Sequence, residues 1–382
     1  MTNFAIPPRH GPRLRARPGV ALVMAVVAMA VLGVLVAGVF FTALREERDG
    51  RDAVHRVQAL ATAEYGLATA LSPASWQSSW KITRRRGMLH LFAPEVGANT
   101  SDTVQLWKLD RNSFLLVSSG GAGPAISRAK RRIALLVALR IPRLAARSAV
   151  MSQDGVSVTD SSLVSGADTI PPGWDCPPAD DVRPALMVPA ASLVDSGECT
   201  AFACLAGEPL VRIDSLAAMT DTYERFGAFD RGSMAATALQ LPDDIVITAA
   251  PAVNEAGECA GSRLDNLGDP LRLLGADSPC ADYFPLVHAP GNMRIEGGAG
   301  QGFLIVDGNL TISADARFFG VVVVRGVLEI TEGAELGGAL LASRVIVHAG
   351  SIVRYSSCAV ERALRAAAEP VVPLGQAWSE MY

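Results

Sequence analysis

The stretch VALVMAVVAMAVLGVLVAGVFFTAL, Val20–Leu44, holds 25 residues with no charge and one polar side chain, Thr42. As an α-helix rising ~1.5 Å per residue it is roughly 37 Å long, more than the ~30 Å hydrocarbon core of a bilayer. A core helix of that length normally keeps a polar face, and this one has none. Upstream, residues 1–19 carry Arg9, Arg13, Arg15 and Arg17 and no acid. By the positive-inside rule that end stays in the cytoplasm and the remainder crosses to the far side. No small-x-small cleavage site with a helix break follows the apolar run, so it reads as a single-pass anchor rather than a removed leader.

Helical character continues outward. Arg45, Glu46, Glu47 and Arg48 follow at once, and Val54, Val57, Leu60, Ala61, Tyr65, Ala68 and Leu71 recur at three- and four-residue spacing, one apolar stripe. No proline interrupts Val20–Ser72, and Pro73 ends the pattern. The expectation is one helix of about 50 residues, ~75 Å long. Its 20–44 half spans the membrane, with Gly33 and Gly38 as soft points, and its 45–73 half is amphipathic.

Residues 74–145 alternate turns with strand-like runs at Gly87–Phe92, Thr103–Leu109, Ser113–Ser118 and Arg132–Leu139, with Asp110–Asn112 as a hairpin turn. They predict an antiparallel sheet on the outer half of the helix. Farther on, GFLIVDGNLTI from Gly302, GVVVVRGVLEI from Gly320 and GALLASRVIVH from Gly338 repeat at a spacing of 18 residues. Gly308 and Gly326 share a phase within the repeat, and a looser copy runs over Gly291–Ile295. One such unit cannot bury its apolar face alone, whereas stacked units can. The prediction is a short parallel β-solenoid of about four rungs over 284–356, with a similar first segment over 146–169. An ordinary β-sandwich is the alternative, and the constant period argues against it.

The region 170–283 between them is an acidic, Pro/Gly/Cys-rich insert, with 18 acidic and six basic residues over Ile170–Asp282. It holds Cys176, Cys199, Cys204, Cys259 and Cys280, and Cys358 lies beyond the repeats. Six cysteines outside the cytoplasm read as disulfides, and Cys199–Cys204 and Cys259–Cys280 are the local candidates among the roughly 15 arrangements six cysteines allow. The 357–382 tail starts with a helix over Cys358–Glu369 that Pro370 stops.

Chemistry-bearing patterns are sparse. His10, His55, His90, His288 and His348 lie far apart, none at metal-ligand spacing with another histidine or a cysteine. No Gly-x-Ser-x-Gly elbow or phosphate-binding loop occurs, and no helix follows Gly297, Gly298, Gly300 and Gly302, which read as a corner. A hydrophobic content of 50% excludes wholesale disorder, and a net charge of -4 excludes a generic basic nucleic-acid binder. The reading is no catalysis, no cofactor, no metal and no nucleic acid.

A basic leader, a glycine before an apolar run and one long helix resemble a type IV prepilin. In that class a prepilin peptidase cuts after the glycine and methylates the new N-terminus, which here places the processing site at Gly19 and Val20. The chain more closely resembles the N-terminal domain of the type IV pilus assembly protein PilX family, over roughly 50 residues. The shared features are Gly19–Val23, the Glu46–Glu47 pair, and an Ala-Glu-x-Gly-Leu box at Ala63, Glu64, Gly66 and Leu67. Major pilins carry glutamate at the fifth mature position, where this chain has Met24. The resemblance thus implies an α+β minor pilin-like or pseudopilin-like protein, with its N-terminus cytoplasmic and its bulk periplasmic. It also implies the inner membrane, pilins and pilus assembly proteins, and the prepilin peptidase as partners. A tip-displayed or membrane-anchored adhesin binding a surface glycan is the alternative, and a carbohydrate-active enzyme on the solenoid is a third.

Overall fold

The computed structural model describes residues 18–382 apart from 95–96, 98–99, 125–127, 160, 178–180, 198, 200–202, 374–377 and 382; the basic leader up to Arg17 lies outside the described residues. Helix α1 (Pro18–Leu71) is a single 54-residue rod. The short α2 (Ser78–Ile82) follows, then four strands, β1 (Gly87–Phe92), β2 (Thr100–Lys108), β3 (Ser113–Ala122) and β4 (Ala129–Arg140), each antiparallel to the next. Alternation in sequence becomes alternation in burial. Val104, Leu106, Phe114, Leu116, Ile133, Leu135, Val137 and Leu139 turn one face of the sheet onto α1, with Trp76 edge-on to Phe114 at 5.0 Å.

The helix seats by only part of its apolar stripe, of which Leu60 and Leu71 pack against the sheet's core. Its buried positions are Ala59, Thr62, Ala63, Gly66, Leu67 and Ala70. Val54, Val57, Ala61, Tyr65 and Ala68 lie exposed on the opposite side. Small residues allow close backbone approach, and that decided which face the sheet took.

The second body is a 14-stranded sheet in which every pairing is parallel. Its first strands are β5 (Val150–Val158) and β6 (Leu163–Ser165). The acidic region then adds β7 (Leu186–Val188), β8 (Val194–Asp195), β9 (Leu205–Ala206) and β10 (Val211–Ile213). Helix α3 (Thr220–Glu224), a two-stranded ribbon of β11 (Arg225–Phe226) and β12 (Phe229–Asp230), and helix α4 (Arg231–Thr237) lead to β13 (Leu239–Gln240) and β14 (Ile245–Ala249). The repeats supply β15 (Leu286–Ala289), β16 (Met293–Val306), β17 (Leu310–Ser313), β18 (Arg317–Ile330), β19 (Glu335–Val347) and β20 (Ile352–Tyr355).

The register follows the sequence period. Leu304 pairs with Val322 and Val322 with Leu340, a step of 18 residues each time. These side chains and Leu310, Leu328, Ile312 and Ile330 stack in a dry core. Beyond β19 the next strand is β5, with Leu340 beside Val150, and β7 follows. On the other side, β13 and β14 pair with β15 and β16. The expected insert over 170–283 is therefore corrected in part: two- to five-residue strands from it extend the sheet at both ends. Those strands are too short to show a period in sequence.

The chain then returns. Helix α5 (Ser357–Ala366), capped by the Ser356 side chain, packs on β16, β18 and β19. Strands β21 (Glu369–Val371) and β22 (Trp378–Met381) pair with the free edge of β4. The helix expected over Cys358–Glu369 is α5, ending at Ala366, and the tail beyond it adds two edge strands, a position that tolerates Pro370. The whole parallel body sits between β4 and β21 of the antiparallel sheet.

Two buried lysines brace the junction. Lys108 Nζ donates to the carbonyls of Trp80, Lys81 and Thr83 at the end of α2, at 3.1, 3.2 and 2.7 Å. Lys81 Nζ donates to the Ala366 carbonyl at 2.8 Å, at the end of α5. Burial lowers the pKa of each to about 8. Arg365 donates to the Arg111 carbonyl and to Asn112, both at 2.8 Å. The disulfides are Cys176–Cys358, Cys199–Cys204 and Cys259–Cys280, the first spanning 182 residues of chain.

Candidate assembly helix and its seat on the sheet

The residues singled out by sequence lie along α1. Gly19 and Val20 stand at its start, and Met24 is 66% exposed within an apolar half that packs on nothing. An apolar helix of this length is compatible with a single-pass membrane anchor. Glu46 and Glu47 are exposed just past it, and Glu47 accepts from Arg51 one turn on. Glu64 is exposed, whereas Ala63, Gly66 and Leu67 of the same box are buried.

The box marks where helix and sheet backbones come closest. A Cβ at Gly66 would fall 1.4 Å from Asp102 Oδ2 and 2.9 Å from Val104. Across the interface, a Cβ at Gly120 would fall 2.1 Å from the Ala59 carbonyl oxygen and 2.5 Å from the Ala63 nitrogen. Between these glycines lies Asp102, 4% exposed, whose Oδ1 accepts from the Ser118 hydroxyl at 2.9 Å. Its Oδ2 has no hydrogen-bond partner among the described residues. Burial raises the Asp102 pKa, opposed by the hydrogen bonds from Ser118 and the Thr103 backbone. Sequence reasoning missed Asp102, because one aspartate in an alternating strand reads as solvent-facing.

A second polar cluster, also missed, braces the parallel body. Arg231, 2% exposed, donates to Asp307 at 2.6 Å and to the Val306 carbonyl at 2.6 Å. His288 lies 2.9 Å from Asp307 and 2.8 Å from Gln240, and Arg325 holds Glu224 through two bonds at 2.9 and 3.0 Å. Burial works against the Asp307 carboxylate, yet hydrogen bonds from His288 and Arg231 and the charges of Arg231 and Arg325 lower its pKa. The residues meet from positions 48 and 76 apart in sequence, so no local motif announces them. A cleft of about 950 Å³ opens between the two bodies, beside Trp76, Lys81, Ser278, Tyr283 and Glu369. No group of three or more metal-ligating side chains occurs among the described residues.

No family model and no curated protein matches the chain. Among solved structures, the crystal structure of the competence-associated pilin ComZ from Thermus thermophilus aligns with it at 12% identity and a TM-score of 0.24. That alignment covers 85% of this chain and 97% of the pilin.

Proposed function

We propose that the chain is a minor pilin-like, non-catalytic subunit of a type IV pilus or related secretion filament. It is held in the inner membrane by Val20–Leu44 with its bulk in the periplasm. In this reading the PilX-type features are functional. Prepilin peptidase cuts at Gly19–Val20, and the helix later packs among the helices of other pilins and pilus assembly proteins. The parallel body, wound as a short solenoid with its 18-residue step, is carried as the head.

One observation carries the reading. Helix α1 has apolar surface left over on the side away from its own sheet, where Val54, Val57 and Tyr65 are 54%, 67% and 54% exposed. That stripe prolongs the bare apolar half beyond the membrane, as a rod meant to lie against other rods would require. A plain anchor needs apolar surface only as far as Leu44. The test is the N-terminus of the mature protein, read by mass spectrometry from cells with and without prepilin peptidase. An N-methylated Val20 that disappears without the peptidase is the expected result. An intact leader in both strains would overturn the filament reading.

A further inference from the structure

The underside of the sheet, where it overhangs the membrane half of α1, is basic. Eighteen residues make five turns of α-helix. Arg45 and Arg48 therefore lie directly beneath Ala63 and Gly66, on the face that carries the sheet. Arg56, Asp49 and Asp52 share that side, whereas Glu46 and Glu47 lie beneath Glu64 and Tyr65 on the exposed side. The Arg45 guanidinium folds back over the Phe41 ring at 4.7 Å, at the level where the apolar run ends.

Above these side chains hangs the lower edge of the sheet. A Cβ at Gly123 would fall 2.9 Å from the His55 ring, and Ala122 pairs with Ala129, so β4 begins at that level. There the sequence runs Arg128, Ala129, Lys130, Arg131, Arg132. Arg128, Lys130 and Arg132 are exposed, and Arg131 is half-buried on the helix side. Among the described residues, Arg45, Arg48, Arg56, Arg128, Lys130, Arg131 and Arg132 bring seven cations to that side and edge, against Asp49 and Asp52 on the helix and Glu380, which pairs with Ile133 on the neighbouring β22.

We infer that this overhang docks on the phosphates of an anionic bilayer surface and so fixes how the head stands on the membrane. The geometry favours lipid over a protein neighbour. Counted from Leu44, Arg45 and Arg48 rise only about 1.5 and 6 Å, inside the roughly 5–7 Å headgroup layer of any bilayer that Val20–Leu44 spans. The edge at His55 stands about 16 Å up, which brings the Arg128 side chain to within roughly a Debye length of the phosphates, while Lys130 and Arg132, paired with Gly121 and Ser119, stand higher on the sheet and add to its positive potential. The proposal rests on the membrane placement of Val20–Leu44 and not on processing or filament entry.

The test uses the full chain in neutral detergent micelles, offered equal amounts of phosphatidylglycerol and phosphatidylcholine, with retained lipids counted by native mass spectrometry. Wild type should retain the anionic lipid in excess by about tenfold, falling to within about twofold in the Arg128→Gln/Lys130→Gln/Arg132→Gln variant. Arg128→Lys/Arg132→Lys should keep the preference. Should the triple variant fail to fold, Arg45→Gln/Arg48→Gln, on exposed helix, carries the same expectation of a reduced preference. Equal retention of both lipids by wild type overturns the proposal, as does a preference that survives in the folded glutamine variants. Equal retention joined to loss of filament entry in those variants would assign the overhang to an acidic protein neighbour instead. An uncleaved leader would sink the filament reading and add its own four arginines to every variant alike, leaving the difference between wild type and the glutamine variants unchanged.

Discussion

Gly66 and Asp102 share a space that fits only one of their side chains. Gly66→Ala puts a methyl into the Asp102 carboxylate, at a cost of about 1–3 kcal/mol that outweighs the gain in helix propensity. Combining it with Asp102→Ala should recover part of that loss, and a double-mutant cycle in denaturant measures the coupling. Asp102 also imposes a pH dependence. Its folded pKa is raised, so the folded state binds its proton more tightly and stability drains away as pH climbs above the ordinary value of 3.8. Asp102→Asn should therefore gain on wild type between pH 3 and pH 7, read from the denaturation midpoints. Lys81 and Lys108 act in the opposite sense. Their folded pKa values near 8 lie below the unfolded 10.5, so the unfolded chain binds more protons in between and stability should rise as pH goes from 8 to 10. Lys108→Gln should flatten that rise. The sequence marks Gly66 through its box, but neither Asp102 nor the lysines, because burial of one polar side chain depends on partners up to 285 positions away.

Among the elements, the repeated strands were the most legible. Gly302, Gly320 and Gly338 have φ of +126°, +148° and +147° and stack in register. A Cβ at Gly320 would fall 1.9 Å from the Gly302 carbonyl oxygen. Gly320→Ala adds backbone strain to a backbone clash, together about 2–6 kcal/mol, and thermal melting of the full chain should show it as an early transition. The period of 18 is visible because each 18-residue step along the sheet repeats the same glycine and the same apolar stack. The two- and three-residue strands of the acidic region repeat nothing, so their place at the sheet ends was invisible. Helix α1 was legible in extent, but the face that takes the sheet was not. Its large apolar residues drew the eye, while the sheet seats on Ala59, Ala63, Gly66 and Ala70, where backbones can approach.

At the scale of the whole molecule, the disulfides differ in what they close. In the chain-entropy picture, Cys176–Cys358 with its 182-residue separation is worth roughly 5 kcal/mol, and Cys199–Cys204 with its separation of 5 roughly 2. Paired serine substitutions should lower the denaturation midpoint in that order. The sequence offered the short pair and left the long one open, since nothing local connects an acidic loop to a helix beyond the repeats.

The return of the chain to β4 has a mechanical consequence. If α1 is pulled along its axis, as in a filament under traction, the load passes through its seat into the antiparallel sheet, which contains both the first strands after the helix and the last strands of the chain. The parallel body is attached at both of its ends to that same sheet and hangs beside the line of force as a closed loop. Traction would reach it through the bonds of Lys81 and Arg365 at the junction and the β4 edge that β21 and β22 share.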